Sequence, residues 1–582
     1  MSLTLRGSTV ASLTLVVALA LGFLGVAPAR AGTPPDPRPT DPQSTHPQPA
    51  APHHAIPRPT GPQARAALAR AERRLRPDTV RVRAGRTVGH GPSTEITTTL
   101  RDLQRARSAL TGPDRRAADA LLARPGDPAD DLVGDSVGDG AGDRAGVGAT
   151  DVPRVTYGDA GRGHYCPTGG VACVHWATSG PEALPATELA ADADADGVPD
   201  YVETVYTEAR RVWSRETGGL GYRAPLPDGG TAGDADDPDG RLDLYLADLG
   251  RRGLYGYCAP EGTLMVSRLP GYCVLDNDYA PTQYAAASYL DPLRVTVAHE
   301  LFHAVQFAYD VDEDHWFMEG TATWVEGQVF GALHDNHQYL PTSPIVRPDL
   351  PVDYTPGFFQ YGAFLFFTYV SERLGPDVVR RAWELAEAGS TDRYSLQAVR
   401  AAVQARTAWS PFMATFAAWN TLPPGSYRAR ASYPAPTYLW NGVLSSAHPS
   451  TGWRRAARAH LSSAAVRLVP AARGRAGRRL VIDVDAPDTS HGSAALVQRR
   501  LRSGDVRTTV LPLSLTGRGR TVVPFDRRVV SSVVVVVANT STAMRDCGYI
   551  GVGPDSDQPE YSCAGRGVYD AGQTFLVRAR LG

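Results

Sequence analysis

A chain of 582 residues is longer than one hydrophobic core usually serves, so two or three domains are expected. The formal net charge of −2 excludes a general attraction to nucleic acid or to a membrane surface. All 59 basic residues are arginine, which reads as a genomic base-composition bias and not as a functional choice.

In chain order, the N-terminus comes first. "MSLTLRGSTVASLTLVVALALGFLGVAPARA" has an early Arg6, an apolar run from Val10 to Val26 and small residues at its end. This predicts a cleaved secretory signal over 1–31, not a retained anchor, and hence a secreted, extracellular protein with no membrane attachment after cleavage. Residues 32–62 are rich in Pro, Thr and His and predict an extended, disordered segment. Helices are predicted over 63–76 and 100–124, followed by the linker "GDSVGDGAGDRAGVGAT". A small helical unit between a signal and a linker suits a pro-region, or a mere spacer.

From Asp151 the sequence becomes denser in aromatic residues and turns. Residues 185–250 carry 15 acidic and 5 basic residues, which points to bound cations. Within them, "DADADGVPDYVE" places Asp192, Asp194, Asp196, Asp200 and Glu203 at positions 1, 3, 5, 9 and 12 of a calcium loop. Gly197 takes position 6, and Val198 offers a backbone carbonyl. The bland alternative is an acidic turn ahead of a helix. "GDADDPDGRLDLYL" is a weaker second cluster, with Asp234, Asp236, Asp239 and Asp243, for which the bland reading leads.

"LDPLRVTVAHELFHAVQF" predicts a helix with Asp291 as its cap and Pro292 in its first turn. His299 and His303, four apart, share one face, a spacing that suits one tetrahedral zinc. Glu300 is rotated away from that face and suits a general base. Val295, Ala298, Leu301, Phe302 and Val305 supply an apolar rear. "HWFMEGTATWVEGQVFG" predicts a second helix with a stripe of Met318, Ala322, Val325 and Val329. Glu319 is its candidate third zinc ligand, which leaves a fourth position open. Small Gly320 and Ala322 predict close approach to the first helix. Glu326 is a candidate hydrogen-bond partner for a ligand imidazole, or an ordinary solvated carboxylate. Tyr361 and His315 are candidates for stabilising an oxyanion, although an aromatic in such a helix is more often core.

A helical pair, "GAFLFFTYVSERLG" and "PDVVRRAWELAEAG", closes this region. After about residue 450, short β-branched runs separated by turn residues predict a β-sandwich. Residues 451–582 carry 10 acidic and 20 basic residues, a solvated arginine-rich face or a surface for a polyanion. The six cysteines fall into three close pairs: Cys166 and Cys173, Cys258 and Cys273, Cys547 and Cys563. Local disulfides in an oxidising compartment are expected, with connectivity left open.

"HELFH" followed by "EGTATWVE" resembles the gluzincins, zinc peptidases with Glu as third ligand. The aminopeptidase branch is similar in its EGxAxWxE element, but this chain lacks the GxMEN motif and has a shorter His-to-Glu spacing. Over roughly 155–420, "DxDxDGxPDYVE", "LDLYLADLG", "HExFHAxQ" and "EGTATW" resemble a group of predicted secreted bacterial metalloproteases. The resemblance implies an α+β zincin-like metallopeptidase domain, with Glu300 as general base and His299, His303 and Glu319 on zinc. The expected organisation is a signal peptide (1–31), a Pro-rich segment (32–62), a helical pro-region and linker (63–150), a metallopeptidase domain with a calcium loop (151–445) and an all-β sandwich (446–582). The expected function is zinc-dependent cleavage of proteins or peptides, with Zn2+ and Ca2+ as cofactors and a zymogen as precursor. The alternatives are a non-catalytic exported calcium-binding surface or adhesion protein with a structural zinc, and an adhesin in which the sandwich is the functional part.

Overall fold

A computed structural model describes residues 59–76, 96–127, 152–228, 240–262, 267–284, 286–429, 433–472, 479–542 and 573–582. The signal segment, most of the Pro-rich segment, the linker, Asp234, Asp236 and Asp239, and the pair Cys547 and Cys563 lie outside these residues.

Among the described residues, three helices come first: α1 (Gly61–Leu75), α2 (Thr97–Ala106) and α3 (Gly112–Leu122). The single helix expected over 100–124 is two, because Gly112 has φ +57° and Pro113 opens a new first turn. Leu68, Leu75, Leu100, Leu103 and Leu121 turn inward to one core.

A five-stranded sheet follows: β1 (Arg162–Tyr165), β2 (Ala172–Ala177), β3 (Leu242–Ala247), β4 (Gly256–Pro260) and β5 (Gly271–Asp276). Its order is β1-β2-β3-β5-β4; β2, β3 and β5 are parallel, while β1 and β4 are antiparallel edges. Both faces are buried. Along β3, Leu242, Leu244 and Leu246 enter one core, whereas Tyr245 and Ala247 enter the core that the N-terminal helices fill. The helical unit is thus packed onto the sheet. On the other face lie α4 (Asp200–Trp213) and α5 (Leu290–Phe307), with α6 (His315–Val329) crossing α5.

The expected helical pair is α7 (Phe364–Leu374) and α8 (Asp377–Ala386). Two more helices, α9 (Leu396–Gln404) and α10 (Trp409–Trp419), extend the region beyond it. Nine strands follow among the described residues: β6 (Trp440–Leu444), β7 (Arg454–Arg458), β8 (Ser462–Pro470), β9 (Arg479–Asp485), β10 (Ser493–Leu501), β11 (Val506–Val510), β12 (Arg518–Pro524), β13 (Val530–Asn539) and β14 (Gln573–Leu581). They form two sheets, β11-β10-β13-β8-β6 and β12-β9-β14-β7, around one shared core. The first strand starts at Trp440, ahead of the boundary expected at 446. β13 is apolar on both faces for a reason: Val533, Val535 and Val537 enter that core, while Val534 and Val536 pack on Ala414, Ala417 and Ala418 of α10.

Candidate metal centre

α5 is buried on nearly every side, so its polar residues must find partners inside the protein. Its N-cap is Tyr289; Asp291 lies within the first turn and makes no capping bond, so the expected Asp291 cap is corrected. A carboxylate there still favours the positive end of the helix.

His299, His303 and Glu319 offer ligand atoms that all lie within 4.8 Å of one another. Glu319 Oε2 is 3.3 Å from His299 Nε2 and 3.4 Å from His303 Nε2. Burial alone would raise the Glu319 carboxyl, but the imidazoles of His303 and His299 hold it well below the usual carboxylate range. Its other oxygen, Oε1, is buried and has no hydrogen-bond partner among the described residues. A buried, orphaned carboxylate oxygen beside two imidazoles fits a divalent cation, and the N/N/O donor set suits zinc.

The ring nitrogens that face away from this centre are held. His299 Nδ1 meets Glu326 Oε1 at 2.7 Å, and His303 Nδ1 meets Gln306 Oε1 at 2.7 Å. Gln306 Nε2 in turn donates to Met318 O and Thr321 Oγ1 of α6. Such partners fix which nitrogen points to a metal. Gln306 is not among the expected site residues. Its signal is the three-residue step after His303, which puts both on one helix face.

Gly320 serves a different neighbour from the one expected. A Cβ there would first meet Phe367, Ala363 and the Gln360 carbonyl, so its smallness lets α6 approach the 360–367 segment. Tyr361 in that segment is buried, stacks on Tyr339 and lies with its ring centroid 6.4 Å from that of His299. His315 turns Nε2 to Asp102 of α2, at 2.9 Å.

Glu300 is 1% exposed. It faces β4, where a side chain on Gly256 would sit 2.9 Å from Glu300 Cγ. The missing Cβ lets the edge strand lie directly against the candidate base. Glu300 Oε2 accepts a hydrogen bond from Thr97 Oγ1 of α2 at 3.0 Å. The same Thr97 oxygen accepts from the Cys258 N–H of β4 at 2.8 Å.

The acidic loop lies apart in sequence. Asp192, Asp194 and Asp196 offer oxygens within 4.8 Å of one another. Asp192 also accepts from the Asp196 and Gly197 N–H groups. Gly197 has φ +91°, a conformation that glycine adopts without strain. Asp200 accepts from the Ala193 N–H, and desolvation with the four aspartates raises the Glu203 carboxyl. Val198 follows Gly197, and its N–H donates to Asp196 Oδ1.

Two disulfides, Cys166–Cys173 and Cys258–Cys273, staple the sheet; the second joins directly paired residues of β4 and β5. Cys173, His175 and Asp243 also converge, but the cysteine sulfur is in a disulfide. Asp243 pairs with His175 and, at 2.6 Å, with Arg124. This group is a buried ion-pair network, not a cation site. No helix among the described residues is long and apolar enough to cross a membrane.

No protein-family profile matches this chain, and none of the curated proteins matches it. Among solved structures it is similar to a family GH115 4-O-methyl-α-glucuronidase with specificity for decorated arabinogalactans, at 10% identity and a TM-score of 0.12. The likeness covers 62% of this chain and 54% of that one, so this chain spans about half of that enzyme. A score that low carries no argument about fold or chemistry.

Proposed function

We propose that this chain is an exported zinc-dependent endopeptidase with a zincin-like catalytic domain, made as a precursor and stabilised by calcium. The convergence of His299, His303 and Glu319, with Glu300 beside them but outside the ligand set, carries the reading. The antiparallel outer strand β4, packed on α5, supports it, since such a strand is where an extended peptide adds by main-chain hydrogen bonds once its edge is uncovered.

His299, His303 and Glu319 would hold the metal. Zinc bound there supplies Lewis acidity, lowering the pKa of water toward about 7 and polarising a peptide carbonyl. Glu300 Oε2 takes a proton from the attacking water and returns it to the leaving amine. Glu326 and Gln306 hold the two Nδ1 atoms, so that each Nε2 is turned toward the centre. Tyr361, beside His299, is the candidate for steadying the developing oxyanion. Asp192, Asp194, Asp196, the Val198 carbonyl, Asp200 and Glu203 would take calcium.

A second reading, a non-catalytic exported protein with a structural zinc, draws on the full burial of the centre. Exposing purified, processed protein to a diverse peptide library, with and without chelator, separates the two. Chelator-sensitive internal cuts are expected; intact peptides with one zinc per chain would favour the structural reading.

A further inference from the structure

We propose that α2 is a built-in inhibitor, its Thr97 hydroxyl and first turn seated on the substrate edge of β4 and capping Glu300 until the helix is displaced. The inference rests on the peptidase reading above.

Thr97 makes two bonds with one hydroxyl. It donates to Glu300 Oε2 at 3.0 Å and accepts from the Cys258 N–H at 2.8 Å. Cys258 lies on an outer strand, whose far edge pairs with no strand among the described residues and is the place where a substrate backbone would add. The single oxygen therefore satisfies both the edge donor and the candidate base. With Thr97 seated there the base is buried away from water, and an edge N–H that already donates to Thr97 is not open to donate to a substrate carbonyl.

The rest of α2 fixes that hydroxyl in place. Ile96 and Leu100 are fully buried beside it. The fully buried Arg101 donates to Val311 O at 2.7 Å and Glu313 O at 2.6 Å, in the segment leading into α6. Asp102 holds His315 Nε2 at 2.9 Å. Gln104 Nε2 donates to Gly262 O at 2.6 Å, just beyond β4, and Arg105 pairs with Asp312 at 2.8 Å. The helix is thus tied to β4 and the residues just after it on one side, and to residues 311–315 on the other. These contacts span more than 150 residues of sequence and are made by a unit that lies ahead of the catalytic domain.

The test uses the full chain with its N-terminal unit in place. Wild type is compared with Thr97→Val, which keeps the shape but loses both bonds, and with the double variant Arg101→Ala/Asp102→Ala, which unties the helix. Amide exchange over residues 256–260 and cleavage of casein are both read, on zinc-loaded protein. The Cys258 amide should exchange at least about tenfold faster in both variants, and casein cleavage should rise at least about tenfold in the double variant, as the open fraction grows. Wild type that cleaves as fast as the double variant, or exchange that does not change in either variant, overturns the inhibitor. Faster exchange with no cleavage by any form would leave α2 as the cover of this edge and instead sink the peptidase reading.

Discussion

His299 Nδ1 and Glu326 Oε1 lie 2.7 Å apart, a buried contact between two helices that turns the opposite ring nitrogen toward Glu319. Glu326 sits seven residues after Glu319 on α6, so one helix supplies both a ligand and the partner of another ligand. Replacing Glu326 with Ala should weaken zinc binding about 10–100-fold while His299 and Glu319 remain. Competition titration against a fluorescent zinc chelator measures this; unchanged affinity would remove Glu326 from the site.

Gln306 plays the same part for His303, and it also donates to Met318 O and Thr321 Oγ1. Gln306→Leu should lower zinc affinity and remove the buried acceptor of His303 Nδ1, at a cost of about 1–3 kcal/mol. Zinc titration and urea unfolding of the metal-free protein separate the two effects. A loss of stability without any change in affinity would make Gln306 a packing residue only.

The acidic loop makes a prediction about calcium. An ion bound only by the folded state stabilises it by about 2.7 kcal/mol at a hundredfold excess over Kd. Calcium should therefore raise Tm, and Asp196→Ala should blunt the rise. Calorimetric titration that shows no heat with wild type would end this assignment.

Arg124 bridges the N-terminal helical unit and the sheet. It pairs with Asp243 and Glu261, each at 2.6 Å, and with Asp228. Arg124→Ala strands buried carboxylates and should cost about 3–5 kcal/mol. Chemical denaturation measures it. A cost below about 1 kcal/mol, the range of a surface pair, would show that these groups are solvated.

The parts legible in the sequence were those set by short spacings. The four-residue step from His299 to His303 and the apolar stripe of α6 need only helical geometry. The alternating or β-branched runs AAVRLVPA and RRLVIDVDA fall largely on β8 and β9, because alternation is also local. Thr97 and Arg124 were out of reach for the opposite reason. Their partners are 203 and 119 residues away, and nothing near either residue announces a contact that chain topology alone creates. Gly320 was misassigned on similar grounds: its smallness was visible, but which neighbour used the space was not. The break at Gly112 and Pro113 was readable from residue types, yet the apolar periodicity ran across it and masked it.

The most direct measurement concerns Glu300. It lies beside the ligand set but is not in it, so Glu300→Gln should keep about one zinc per chain and lose peptide cleavage, whereas His303→Ala and Glu319→Ala should lose both. Metal analysis and casein cleavage on processed wild type and the three variants decide it. Zinc retained with cleavage abolished is the predicted result for Glu300→Gln; cleavage at the wild-type rate would contradict the account.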